Sequence, residues 1–111
     1  MLLFKPEHIK LILTGEKSET RRLGRRRWIV GHIHKAKTKM ISKEYFAKLR
    51  ILSVHQEPLL NISEEGATAE GYLSRKEYLE AFYRINHLSP HRVLYNSGDI
   101  LVHVVRFEVA P

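Results

Sequence analysis

The segment Gly15-Glu16-Lys17-Ser18-Glu19-Thr20-Arg21-Arg22 lies between an apolar helical pattern and a cluster of arginines. Upstream of it, Pro6 suits a first helical position and Glu7 the positive end of a helix. Ile9, Ile12 and Leu13 recur at helical spacing until Gly15 stops the pattern, which predicts a short helix from about Pro6 to Thr14. The segment itself is polar and without strong periodicity. Downstream, Arg21, Arg22, Arg25, Arg26 and Arg27 are followed directly by Trp28, in loop-like sequence around Gly24. Arginine grips phosphate with a planar fork and stacks on bases, so these five residues, with Lys17 and Trp28, are candidates for phosphate or nucleic-acid binding. The alternatives are a solvated basic loop and, for Trp28, a place in the core.

The 111-residue chain carries a formal net charge of +7. Residues 1–50 hold 14 Lys/Arg against 4 Glu, whereas residues 51–111 hold 5 against 8 Asp/Glu, so the whole excess lies in the first half. Hydrophobic (43%) and charged (28%) fractions are ordinary for a globular protein, and the length argues for one domain over 1–111. The lack of cysteine excludes a disulfide framework, a thiolate zinc site and a cysteine nucleophile, and fits a reducing cytoplasm. No apolar run approaches the roughly 18 to 20 residues that span a bilayer, and the N-terminus lacks a basic leader region and a small-residue cleavage site. A soluble cytoplasmic protein without a membrane partner is expected, its oligomeric state left open.

Farther along, Trp28 to Lys39 alternates well enough to be a candidate strand pair, with Trp28, Val30 and His32 on one face, Ile29 and Ile33 on the other, and Gly31 between them at a bulge or turn. Tyr45 to His55 reads as a strand ending before Pro58, with Leu49, Ile51 and Ser53 on one face and Leu52 and Val54 on the other. Ser63 before Glu64 and Glu65 resembles an N-cap, opening a short helix that ends near Gly71. Ser74 with Glu77 three residues on is a capping box, followed by the apolar stripe Tyr78, Leu79, Phe82 and Ile85, most simply a core face. Asn86 to Gly98, with Pro90, Asn96 and Gly98, is loop-like, and Ile100 to Val109 is a closing strand. This order of elements predicts a small α+β domain whose sheet curls toward a barrel.

The segment from Gly15 to Arg22 resembles the GxKxxTxR-type signature of the ASCH domain family, relatives of the PUA domains. The resemblance runs along nearly the whole chain: Trp28-Ile29-Val30-Gly31 is similar to the family's second strand with its glycine, and Leu49-Arg50-Ile51-Leu52-Ser53-Val54 to the next. Ala67-Thr68-Ala69-Glu70-Gly71-Tyr72 resembles its Ala-x-x-Glu-Gly-aromatic helix end, and Val104-Val105-Arg106-Phe107-Glu108 its last strand. It implies a PUA-like small β-barrel flanked by short helices, with a cleft that takes RNA or a modified nucleoside. Some small members hydrolyse the acetyl amide of N4-acetylcytidine with a lysine, a threonine and a glutamate, which fall on Lys17, Thr20 and Glu70. The chain departs from the pattern at Ser18, where threonine is frequent, and in its extra arginines Arg25 to Arg27, which leaves the substrate open.

The residue types suit amide hydrolysis, which needs a nucleophile, a proton acceptor and a donor to the developing oxyanion. Which of Lys17 and Glu70 is base and which acid stays open, and a plain salt bridge between them is the structural alternative. In a regular strand Lys17 and Thr20 would face opposite sides, so their convergence requires a turn or bulge. The seven histidines supply only the pair His32 and His34 on one face, with no third ligand evident, so no metal is expected. The absence of a GxxxxGK[ST] or GxGxxG loop leaves nucleotide cofactors without support.

Overall fold

The computed structural model describes residues 1–88 and 100–111; the part of the expected Asn86 to Gly98 loop from residue 89 onward lies outside them. Five strands, β1 (Leu2–Leu3), β2 (Glu19–Arg22), β3 (Ile33–Lys37), β4 (Ala47–Pro58) and β5 (Leu101–Val109), form one sheet in the order β1-β3-β4-β5-β2. β1 runs parallel to β3 and every other pair is antiparallel. The sheet curls into a half-barrel accompanied by short helices, the α+β arrangement that the order of elements predicts and the PUA-like fold that the family resemblance implies.

β5 is the strand on which the two halves of the core meet. Side chains alternate across a strand, so Val105 and Phe107 face the half-barrel with Leu2, Phe4, Trp28, Leu49 and Ile51. Val102 and Val104 face the other way and pack beneath the helices with Leu59, Ile62, Ala67, Tyr78, Leu79 and Phe82. Burial on both faces at its centre explains the adjacent Val104 and Val105, whereas Arg106 and Glu108 stand in solvent. Along β4 the pairing with β5 slips between Ile51 and Ser53. Leu52 is the extra residue of this bulge and points to solvent, and Val54 returns to pack on the half-barrel core. The expected simple alternation, with Leu52 and Val54 on one face, is therefore corrected by one inserted residue.

The helices are bounded as their sequence signals indicate. A 3-10 turn at Pro6–His8 leads into α1 (Ile9–Leu13), which stops before Gly15. The Ser63 hydroxyl accepts from the Gly66 N–H (2.9 Å) to open α2 (Glu64–Ala69). The Ser74 hydroxyl accepts from the Glu77 N–H (3.1 Å) to open α3 (Arg75–Ile85). At α3 the Arg75 N–H donates to the Glu64 carboxylate, and the Arg75 guanidinium donates to the carbonyls of Leu60 and Ile62, fastening the start of α3 to the turn before α2. The apolar stripe of α3 buries Tyr78, Leu79 and Phe82, but Ile85 is 41% exposed at the helix end.

Residues 28–32 correct the expectation of a strand from Trp28. They form a tight turn in which the His32 N–H donates to the Ile29 carbonyl, and the Gly31 N–H reaches the Ile51 carbonyl. Trp28 is buried while Ile29 and Val30 stand in solvent, so the strand starts at Ile33. The register of the bulge is checked by truncation on either side of it. Ile51→Ala is expected to cost about 2–5 kcal/mol in urea unfolding, whereas Leu52→Ala stays within about 0.5 kcal/mol. Equal losses would contradict the slip.

Candidate functional site

The site is built where the loop after α1, the start of β2 and the end of α2 come together. The Lys17 N–H donates to the Leu11 carbonyl at the end of α1, and the next residue is clamped on both sides. The Ser18 N–H donates to the Ala69 carbonyl (2.8 Å), and its own carbonyl accepts from the Phe107 N–H (3.0 Å). Glu70 caps the C-terminus of α2, and Gly71 then takes a left-handed conformation (φ +95°) that favours glycine. A Cβ at Gly71 would also lie 3.1 Å from the Leu11 side chain, so this turn fits closely against α1. β2 begins only at Glu19, which places Lys17 outside the strand. The strand alternation that would have separated Lys17 from Thr20 therefore does not apply to them.

Lys17 and Glu70 are each only 3% exposed. The Lys17 ammonium donates to the Glu70 carboxylate (Oε1, 2.9 Å) and to the Glu70 main-chain carbonyl (2.5 Å). The second carboxylate oxygen accepts from Arg21 Nη1 (3.1 Å). Arg21 also meets Glu19 (3.0 Å) and Glu57 (3.3 Å), so its fork is occupied by three carboxylates. Gly66 leaves room for it, since a Cβ there would lie 3.1 Å from Arg21 Nη2. Arg22 differs. Its Nε donates to Thr20 Oγ1 (2.9 Å), its Nη2 to the Leu3 carbonyl (2.7 Å), and its guanidinium lies over the Phe4 ring at 5.1 Å. It has no carboxylate partner among the described residues.

These surroundings move the proton affinities. Burial holds the Lys17 ammonium below its ordinary range; Glu70 opposes that shift, and Arg22 and Arg21 reinforce it. Burial likewise depresses Arg22. For Arg21 burial acts downward but the carboxylates of Glu70 and Glu19 outweigh it, and its affinity rises. Burial and the nearby Glu70 push the Tyr78 and Tyr72 phenols upward, which keeps both as neutral O–H donors. Burial, followed by Lys17, lowers His8 toward the neutral imidazole.

Beside this cluster lies a cavity of about 900 Å³, bordered by Lys17, Thr20, Arg21, Arg22, Arg27, Trp28 and Glu70. The lysine, threonine and glutamate singled out in the sequence thus share one wall. Arg25 and Arg26 are exposed and do not border it. Their loop is pinned by a hydrogen bond from His103 Nε2–H to the Gly24 carbonyl (2.8 Å), and Arg26 donates to the Trp28 carbonyl. Trp28 is 6% exposed, packs in the core and tilts against His103, so it is a wall of the barrel and not a free stacking platform.

Sequence reading missed Phe4, His8, His34, Tyr72 and Tyr78, which also border the cavity. Tyr78 was hidden in a stripe indistinguishable from core, while Tyr72 was signalled only by its place beside Glu70-Gly71. The Nε2 atom of His34 is buried with no hydrogen-bond partner among the described residues. Those residues contain no group of three or more His, Asp or Glu arranged to hold a metal, and no helix long and apolar enough to cross a membrane.

The curled mixed sheet with its few short helices matches the α+β PUA-like fold of ASCH domain proteins. The chain superposes on an ASCH domain from Lactobacillus crispatus with TM-score 0.69 and 24% identity, covering 91% of this chain and 69% of that one. It is similar to a mutant ASCH protein from Zymomonas mobilis (TM-score 0.64, 14% identity, 96% and 66% covered). It is also similar to a hypothetical protein of nearly its own length (TM-score 0.69, 16% identity, 98% and 96% covered). Comparison with family models and with curated proteins gives no match.

Removing the shared anion tests the cluster. Glu70→Gln leaves Lys17 without a counter-ion in a buried site and is expected to destabilise the fold by about 3–5 kcal/mol. Lys17→Met combined with it should lose clearly less than the sum of the two single variants in urea unfolding, and strict additivity would show that the pair is not coupled. Because the folded state holds the Lys17 proton more weakly than the ordinary 10.5, the unfolded chain binds more protons between the lowered value and 10.5. Wild-type stability should therefore rise relative to Lys17→Met as pH increases through that window.

Proposed function

We propose that the cavity binds RNA or a modified nucleoside by enclosing a base. The observation that carries this reading is the pairing of aromatic rings with buried cations around one concave space. Tyr72, half-buried and met edge to face by Tyr78, offers flat apolar surface, while Arg22, which lies over Phe4 and has no carboxylate partner among the described residues, and Lys17 offer N–H donors. A planar heterocycle stacks on such rings, and its ring carbonyl accepts from such donors. The exposed Arg27 at the cavity, with Arg25 and Arg26 outside it, supplies an electrostatic field that draws in a polyanion. This agrees with the RNA association that the ASCH resemblance implies.

One contact favours a second reading, hydrolysis of an acyl amide such as that of N4-acetylcytidine. Arg22 Nε–H donates to the Thr20 hydroxyl oxygen, which stabilises negative charge on that oxygen when its proton leaves. In this mechanism the neutral form of Lys17, favoured by burial, takes the Thr20 proton as Oγ1 attacks the acetyl carbon. Arg22 stabilises the tetrahedral oxyanion. Collapse breaks the bond from carbon to N4, the Lys17 ammonium protonates the departing nitrogen, and water then hydrolyses the acetyl-threonine ester to release acetate. Glu70 fixes the amine in place.

The test is incubation of the purified protein with N4-acetylcytidine, following cytidine and acetate, alongside titration of binding. Lys17→Ala and Thr20→Ala should each remove hydrolysis, and activity that survives both would place the chemistry elsewhere. Arg22→Ala should weaken nucleoside binding at least tenfold. Arg25→Ala with Arg26→Ala should leave nucleoside affinity unchanged and flatten the salt dependence of RNA binding by nearly one unit for each phosphate these two side chains neutralise.

A further inference from the structure

A second hollow, of about 420 Å³, lies next to the first and shares Lys5, His8, Tyr72 and Ile85 with it. His8 and Tyr72, whose rings meet edge to face at 5.4 Å, form a sill between the two spaces. Beyond the sill the wall is completed by Glu7, Arg84 and His87. Lys5 and Arg84 are exposed, and neither has an ion-pair partner among the described residues. Two permanent cations and two imidazoles therefore face one carboxylate, Glu7. His87 has φ 55°, a left-handed conformation at the end of α3 where glycine or asparagine is the usual occupant. A strained histidine at that point places an imidazole on the wall of the hollow, a position that an ordinary helix end does not require.

We propose that this hollow is a phosphate subsite of the base cavity, so that the preferred ligand is a nucleotide and not a bare nucleoside. The inference rests on the base-binding reading of the larger cavity. The sugar crosses the sill of His8 and Tyr72, and the phosphate meets Lys5 and Arg84, with His87 as a further N–H donor. Arginine matches two phosphate oxygens with its fork, and lysine adds a compact charge. His8, held toward neutrality, contributes an N–H donor at the sill without adding to the charge. The same chemistry serves the phosphomonoester of a free nucleotide and the phosphodiester of an RNA chain.

Calorimetric titration with N4-acetylcytidine, its 5′- and 3′-monophosphates and a trinucleotide containing it tests this on the wild type and on the Lys5→Ala/Arg84→Ala double variant. Both substitutions are at exposed positions outside the cluster of Lys17, Thr20 and Glu70, so the fold is retained. At low salt one of the monophosphates or the trinucleotide should bind at least tenfold more tightly than the nucleoside. The double variant should remove the gain that the phosphate confers, so that this ligand and the nucleoside bind it with about equal affinity, and added salt should narrow the gap in the wild type. A gain with a monophosphate identifies a free nucleotide, and a gain confined to the trinucleotide identifies the chain. Inorganic phosphate alone should shift the amide resonances around Lys5, Arg84 and His87 in the wild type and not in the double variant. If the nucleoside binds but phosphate adds nothing, or if the gain survives in the double variant, the subsite is overturned and base binding stands. If none of the nucleoside-containing ligands binds, base binding falls and the subsite with it.

Discussion

A single carboxylate, that of Glu70, lies buried between two cations and joins the end of α2 to a short segment far from it in sequence. One oxygen holds Lys17 in the loop after α1 and the other holds Arg21 in β2, while the residue itself ends α2. A buried ion pair contributes little net stability, because desolvation offsets the Coulomb attraction. Its effect here is selective. Any arrangement of the helix end and strand that left one of these three charges unpartnered would be strongly disfavoured, so the cluster fixes how α2 docks against β2. The main-chain bonds of Ser18 to Ala69 and Phe107 run beside it and set the same spacing. The cavity wall inherits its geometry from this arrangement.

The parts of the fold that were legible in the sequence are those set by neighbouring residues. The hydroxyl caps of Ser63 and Ser74 act within one helical turn, and the apolar stripe of α3 is a local periodicity, so both could be read directly. At residues 28–32 Gly31 marked a bulge or turn, but not the bond to Ile51 in another strand that holds it, and alternation alone imitates a strand leading up to it. The bulge at Leu52 is equally silent, since one inserted residue changes no composition or pattern outside its own pairing with β5.

For the site, the motif drew attention to Lys17, Thr20 and Glu70 as a group, but it could not separate the fates of adjacent arginines. Arg21 is neutralised by Glu19, Glu57 and Glu70, of which the last two come from distant parts of the chain. Arg22, one position on, turns to the other side of the strand and has no carboxylate partner among the described residues. A count of basic residues measures the field at a distance. Which cation is available to a ligand depends on where the acids of the second half of the chain arrive. Tyr78 shows the complementary limit, because a ring that packs in the core and also borders a cavity has the same sequence signature as one that does only the first.

Arg22 also closes the half-barrel. β1 and β2 are the two edges of the sheet, and the bond from the Arg22 guanidinium to the Leu3 carbonyl joins them by a side chain where a complete barrel would have a ladder of main-chain bonds. Parting that join breaks one hydrogen bond and leaves every strand pairing intact. That guanidinium also lines the cavity, so the side chain that joins the two edges of the sheet is the same one that presents a cation to the hollow between them.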